Sequence, residues 1–164
     1  MTSPMQHCFA PVTSADTRLL VLGSLPGAES LARQRYYAHP QNQFWRLIGA
    51  VIGLDLVPLD DEARLRALLE AGVGLWDTVA AATRKGSLDA DIRLHSASDL
   101  KGLVATLPRL RAVAFNGGTS ARIGRAQLGA AGDLDLIDLP SSSPAYTLAF
   151  ERKLDSWAAL RGYL

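Results

Sequence analysis

The tightest constraint in this sequence is a short run with no polar position, Leu19-Leu20-Val21-Leu22-Gly23. A strand with one wet face alternates apolar and polar residues. One without alternation is covered on both faces, as in a parallel sheet flanked by helices. Three more runs are strand candidates: Val73-Gly74-Leu75-Trp76, Arg111-Ala112-Val113-Ala114-Phe115 and Leu134-Asp135-Leu136-Ile137-Asp138-Leu139. Helical patterns alternate with them. Phe44, Trp45, Ile48 and Ile52 recur at helical spacing over residues 42–52, and Asp60-Asp61-Glu62 opens a second helix that Gly72 can stop. Ser98 is the expected cap of a helix running to Leu107 before Pro108, and further helices are expected over residues 119–128 and 150–160. Alternation of this kind gives an α/β fold with a central, mostly parallel four-stranded sheet and helices on both faces.

In such sheets ligands bind beyond the carboxyl ends of the strands. The unusual sequences sit at those ends: Gly23-Ser24-Leu25-Pro26-Gly27, Asp77, Asn116-Gly117-Gly118, and Pro140 to Pro144. Four loops at one rim make one candidate site.

Composition narrows the function. The chain has 164 residues, and seventeen Lys and Arg against sixteen Asp and Glu leave a formal net charge of +1. This excludes a polybasic tail and an acidic disordered chain. Residues 1–16 read as a polar, Pro-containing lead-in, and residues 17–164 as a single domain. One cysteine, Cys8, allows no internal disulfide and reads as a bystander thiol near a frayed end. With only His7, His39 and His95 beside it, no paired-Cys or His-x-x-x-His metal site can be written, and no cofactor is expected. No apolar run approaches the ~18–20 residues that span a bilayer, and the first residues lack a signal peptide's charged start and apolar core. A reducing cytoplasm is the expected location.

Each candidate motif has an ordinary reading and a chemical one. The Gly23–Gly27 segment can be a plain strand–helix turn, or a loop whose backbone N–H groups a ligand approaches closely. It lacks the Gly-Lys-Ser/Thr ending of a phosphate-cradling Walker loop. Tyr36-Tyr37-Ala38-His39-Pro40-Gln41-Asn42-Gln43-Phe44-Trp45 gathers aromatics and amides. Phe44 and Trp45 begin a core stripe, whereas Tyr37 and Asn42 are the members expected near the surface. His39 before Pro40 is more often a turn residue than a catalyst and is given no role. Asp77 is either a helix N-cap or a carboxylate that accepts from a ring N–H of a base. From Arg84 to Arg125, eight basic residues (Arg84, Lys85, Arg93, Lys101, Arg109, Arg111, Arg122, Arg125) face three acidic ones (Asp89, Asp91, Asp99). That local excess suits phosphate contacts. Ser141-Ser142-Ser143 can edge into a groove or hold a phosphate. No Gly-x-Ser-x-Gly elbow is present, which argues against a serine hydrolase.

Taken in order, these motifs resemble the uracil-DNA glycosylase superfamily, and most closely its hypoxanthine-DNA (deoxyinosine) glycosylase branch. The resemblance runs from Arg18 to Tyr163. It rests on Gly23–Gly27 with the Tyr36–Trp45 segment, on Gly74-Leu75-Trp76-Asp77 followed by Arg84-Lys85-Gly86-Ser87-Leu88-Asp89, on Phe115-Asn116-Gly117, and on Leu139-Pro140-Ser141-Ser142-Ser143. It implies a three-layer α/β/α domain that flips a deaminated nucleotide out of DNA and hydrolyses its N-glycosidic bond with water, leaving an abasic site. Tyr37 falls where the superfamily stacks an aromatic on the flipped base. Asp77 falls where many relatives read the base edge with asparagine. Leu25 and Leu139 stand where uracil-processing relatives carry a water-positioning Asp or Asn and a histidine donor. Asn42 is then the expected orienter of the attacking water, and backbone at Ser24 and Leu25 the expected contact to base oxygens. Lys85, Ser87, Ser141, Ser142 and Ser143 are the expected DNA contacts. The implied partner is DNA containing deaminated bases, with no membrane and no second subunit. The alternatives are mismatch-specific uracil excision, a non-catalytic nucleic-acid-binding module, and hydrolysis of free nucleosides.

Overall fold

In the computed structural model, residues 5–84 and 92–164 are described. The chain runs β1 (Gln6–His7), β2 (Leu19–Gly23), α1 (Ala28–Arg33), α2 (Phe44–Ile52), α3 (Asp61–Ala71), β3 (Val73–Asp77), β4 (Val79–Arg84), β5 (Ile92–Ala97), α4 (Leu100–Ala105), β6 (Ala112–Asn116), α5 (Gly118–Leu128), β7 (Asp135–Leu139) and α6 (Phe150–Ala158). A 3-10 turn over Ala159–Tyr163 closes the fold.

The four expected strands form one sheet in the order β3-β2-β6-β7, every neighbouring pair parallel. Because β2 is wholly buried, alternate residues feed two separate cores. Leu19 and Val21 join Val73, Leu75, Phe44, Leu47 and Trp157 on the face covered by α2, α3 and α6. Leu20 and Leu22 join Val113, Phe115, Leu100 and Leu128 on the face covered by α4 and α5. This is the three-layer α/β/α arrangement. Its strand order reverses between β2 and β6, so a crevice opens beyond Gly23 and Asn116.

Local signals set most boundaries. Asp60 caps α3 by accepting from the Ala63 N–H at 2.8 Å, and Gly72 ends it in the left-handed region at φ +88°. Asp99, not Ser98, caps α4, accepting from Gly102 N–H at 3.0 Å. Ser98 is buried instead. The closing helix gives way to the 3-10 turn two residues before the expected end.

Two features depart from the sequence reading. A second, three-stranded sheet in the order β1-β4-β5 is antiparallel. It draws in the supposed lead-in: Gln6 and His7 pair with Ala82 and Ala81, and Val12 bridges to Leu75. Cys8 is half-buried there, its N–H donating to Ala80 O at 2.9 Å, so residues 6–12 are tied into the fold. Among the described residues, no helix is long and apolar enough to cross a membrane.

Candidate active site

The four strand ends and their loops enclose a cleft of about 650 Å³. Tyr37, Asn42, Asp77, Asn116 and Ser141 to Ser143 line it, together with the Gly23–Gly27 loop. The structure thus brings residues singled out in the sequence to one cleft and adds its internal geometry.

One wall is built on a glycine. A Cβ at Gly23 would lie 2.6 Å from Asp77 Oδ1 and 3.1 Å from the Tyr37 hydroxyl, so only glycine leaves room for both groups. The register pairs Gly23 with Asp77 at the ends of β2 and β3. Asp77 is 3% exposed and is followed by Thr78 and then β4, so no helix starts there and the N-cap reading is excluded. The next backbone groups remain tied to the first loop, with Thr78 N–H donating to Gly23 O and Val79 N–H to Ser24 O, each at 2.8 Å. Leu25 is buried in a small cluster with Val79 and Ile123 and also lines the cleft.

Tyr37 presents a ring whose back is braced. It stacks on Phe44 with ring centroids 3.8 Å apart and 21° between planes. Its φ of +52° lies in the left-handed region, which a bulky residue adopts only when its surroundings impose it. Part of that imposition is the next residue's N–H, which donates to Ser30 Oγ at 3.0 Å. The neighbouring Tyr36 is a core residue, its hydroxyl donating to Ala10 O at 3.1 Å. Burial, reinforced by the charge of Asp77, pushes the Tyr36 pKa far up, so it stays neutral. His39 sits in a turn, where its Nδ1 accepts from Gln41 N–H at 3.1 Å.

Another part of the lining is a chain of neutral polar groups. Ser142 N–H donates to Asn116 Oδ1 and Asn116 Nδ2 donates to Ser142 Oγ, both at 2.9 Å. Ser142 Oγ donates to Asn42 Oδ1 at 2.8 Å, and Phe44 N–H donates to the same oxygen at 2.9 Å. Asn116 Nδ2 also lies 3.4 Å from the Tyr37 hydroxyl. In the sequence reading Asn116 marks a strand end and belongs to the Phe115-Asn116-Gly117 motif, with no site role of its own. Its signal is a polar residue closing a run that is otherwise apolar and buried throughout.

The three serines of the rim separate. Ser142 is 1% exposed and its hydroxyl faces inward into this chain of bonds, so it is not at the surface for a phosphate. Ser141 and Ser143 are half-buried, and their hydroxyls cap local turns by accepting from Ser143 N–H and Ala145 N–H. Beneath them α6 holds the loop. Lys153 Nζ donates to Ser143 O at 3.2 Å and Trp157 Nε1 to Pro140 O at 3.0 Å. Lys153 is itself buried, and that burial lowers its pKa. Gly117, at φ +96°, packs against Ser141 and starts α5, whose positive end borders the cleft. Lys85 and Ser87 lie outside the described residues. The basic excess is dispersed. Arg109 and Arg111 precede β6, at the far ends of the strands from the cleft, and Arg109 and Arg125 pair with Asp16 and Asp138.

Comparison with known proteins agrees with this architecture. A profile of the Uracil DNA glycosylase superfamily matches residues 10–161. A hypoxanthine DNA glycosylase of Methanosarcina acetivorans is 36% identical over 152 residues, covering 93% of this chain and 95% of that one. A hypoxanthine DNA glycosylase of Methanosarcina barkeri is 42% identical over 109 residues, 66% of this chain and 69% of its own. A solution NMR structure from Methanosarcina acetivorans, assigned provisionally as a uracil DNA glycosylase, superposes with a TM-score of 0.86 at 35% identity, covering 96% of this chain and 97% of its own. With a family profile spanning nearly the whole sequence and relatives above 30% identity, the chain belongs to the uracil DNA glycosylase superfamily.

Proposed function

We propose that this protein is a monofunctional DNA glycosylase that removes hypoxanthine from deoxyinosine in DNA. The single observation that carries this reading is the Asp77 carboxylate, set at the edge of a cleft whose neighbouring wall is the braced ring of Tyr37. Hypoxanthine carries an N1–H donor where adenine carries an N1 lone pair. An acceptor at Asp77 therefore welcomes the deaminated purine and repels its parent. The two Methanosarcina relatives named as hypoxanthine DNA glycosylases support the same substrate.

In this reading the nucleotide leaves the duplex, which costs a few kcal/mol and least at a mispair. Tyr37 stacks on the flipped base, Asp77 accepts from its ring N–H, and backbone at Ser24 and Leu25 meets its oxygens. Asn42 is the catalytic residue at the reacting atoms. The C1′–N9 bond breaks, water adds to C1′, and the products are hypoxanthine and an abasic sugar. Ser141, Ser143 and the start of α5 border the cleft where the DNA backbone must pass, and Lys85 and Ser87 are assigned to the same backbone. Leu139 is a 5% exposed core residue that cannot donate to a pyrimidine oxygen, and Leu25 cannot hold water. Both weigh against efficient uracil excision, although uracil also offers a ring N–H to Asp77.

Free-base release from otherwise identical oligonucleotides containing hypoxanthine, uracil or xanthine tests the reading. Hypoxanthine is expected to be released fastest, and free inosine is expected to remain intact. Faster uracil release would make this a mismatch uracil enzyme. Binding without release of any base would make it a binding module, and cleavage of free inosine a nucleoside hydrolase.

A further inference from the structure

The chain of bonds behind Asn42 has a direction, and two backbone N–H groups fix it. A backbone N–H can only donate, so the atom of Asn116 facing Ser142 N–H is its carbonyl oxygen. Its Nδ2 then donates to Ser142 Oγ, which leaves the single Ser142 hydroxyl proton for Asn42. In the same way Phe44 N–H identifies the inner atom of the Asn42 amide as Oδ1. That oxygen has two lone pairs, and Phe44 N–H and the Ser142 hydroxyl take one each. Asn42 Nδ2 has no partner among the described residues, and Asn42 lines the cleft. The group it offers a substrate is therefore a donor, and its acceptor is spent.

A donor cannot take a proton from the attacking water, and an N–H bonded to the water's oxygen would weaken it as a nucleophile. The electron pair of the breaking C1′–N9 bond passes into the purine, where N3 and N7 gather the charge. Donors aimed at developing charge are among the strongest contributors to catalysis. We propose that Asn42 acts as a hydrogen-bond donor to the departing purine, and that Ser142, held by Asn116, is the positioning residue that keeps its Nδ2 turned to the cleft. Water supplies the new C1′–O bond and loses one proton to solvent, and the released base takes one up. This inference rests on the glycosylase reading for its substrate and on the bond directions for its chemistry. It replaces the expectation that Asn42 orients the water.

Asn42→Asp separates the two roles. The isosteric carboxylate still accepts from Phe44 N–H and Ser142, but turns an anion toward the leaving base. Single-turnover hypoxanthine release should fall on the order of 10²-fold at neutral pH. It should recover toward acid, where the protonated carboxyl regains a donor. Dividing by the parent profile at each pH removes the titration of Asp77, Glu29, His39, Tyr36, Tyr37 and Tyr146 around the cleft and of Lys153 behind its rim. A variant as fast as the parent, or one whose relative rate climbs with pH, would mean that residue 42 serves the water, and would overturn the proposal. Ser142→Ala should slow release about 10-fold, the scale of one lost hydrogen bond, and should add nothing further in the Asn42→Asp background. Fully multiplicative losses would show that Ser142 acts independently. A readout without substrate keeps the two readings apart: NMR relaxation of the Asn42 side-chain amide. It should be rigid in the parent and mobile in Ser142→Ala, and equal mobility would overturn the positioning role. Failure of the parent to release hypoxanthine would instead count against the substrate.

Discussion

The two walls of the cleft are made of different materials. On one side Asp77 brings a nearly buried carboxylate to the end of β3, in space that exists because residue 23 has no side chain. On the other, Asn42, Asn116 and Ser142 form a neutral network in which each donor and acceptor is assigned by a backbone N–H. A charge discriminates strongly between a ring N–H and a ring lone pair, which suits recognition. A preorganised neutral donor stabilises developing charge without repelling the neutral ground state, which suits catalysis. Under the proposed function the difference would divide the labour, with the β2–β3 side selecting the base and the Asn42–Asn116–Ser142 side breaking its bond.

That division can be broken one wall at a time. The largest effect is expected from Asn42→Ala, which should cut single-turnover cleavage by about 10²–10³-fold while leaving DNA affinity near that of the parent. A cleavage rate within a few-fold of the parent would remove this wall from the chemistry. Next is Gly23→Ala. The added methyl would displace Asp77 Oδ1 and crowd the Tyr37 hydroxyl, and a shift of about 1 Å at such a site can cost 10²-fold. Here both cleavage and base discrimination should fall while the melting temperature changes little. A large loss of stability with intact discrimination would make Gly23 a packing residue. Tyr37→Ala should weaken capture of the flipped base by about 1–3 kcal/mol, whereas Tyr37→Phe keeps the ring and should lose far less. Equal losses would assign the effect to the hydroxyl near Asn116.

The smallest effect concerns Lys153 under the rim. Burial lowers its folded pKa below the ordinary lysine value, so between those two values the unfolded chain binds more protons than the folded one. Stability of the parent therefore gains from this residue as pH rises through that window. Lys153→Met lacks this component. The parent's melting temperature should rise relative to the variant's as pH climbs from 7 toward 10, and a constant difference would contradict the assignment.

What the sequence disclosed follows from which interactions are local. The buried strands announced themselves because an unbroken apolar run has few other uses, and their carboxyl ends located Asp77 and the loops. The β1-β4-β5 sheet escaped because β1 is only two residues long and β4, Val79-Ala80-Ala81-Ala82-Thr83-Arg84, is rich in alanine, a weak strand former. Lys153 lies on the inner stripe of α6 beside Trp157, where a lysine is expected only if its ammonium finds an acceptor. Ser142 could not be told from Ser141 and Ser143, since its burial depends on Asn42 a hundred residues earlier. Asn116 was visible as the polar end of an apolar run, but its partners are set by tertiary packing.

The division of labour is tested most directly by the ratio of hypoxanthine to uracil release for Asp77→Asn, measured as single-turnover rates in duplexes of identical flanking sequence. Asparagine keeps an acceptor for the ring N–H of either base and adds a donor that can reach an adjacent carbonyl. The account predicts that uracil gains on hypoxanthine in this variant, while Asn42→Ala lowers both rates and leaves their ratio near the parent's. An unchanged ratio for Asp77→Asn would contradict the account and take base reading away from Asp77.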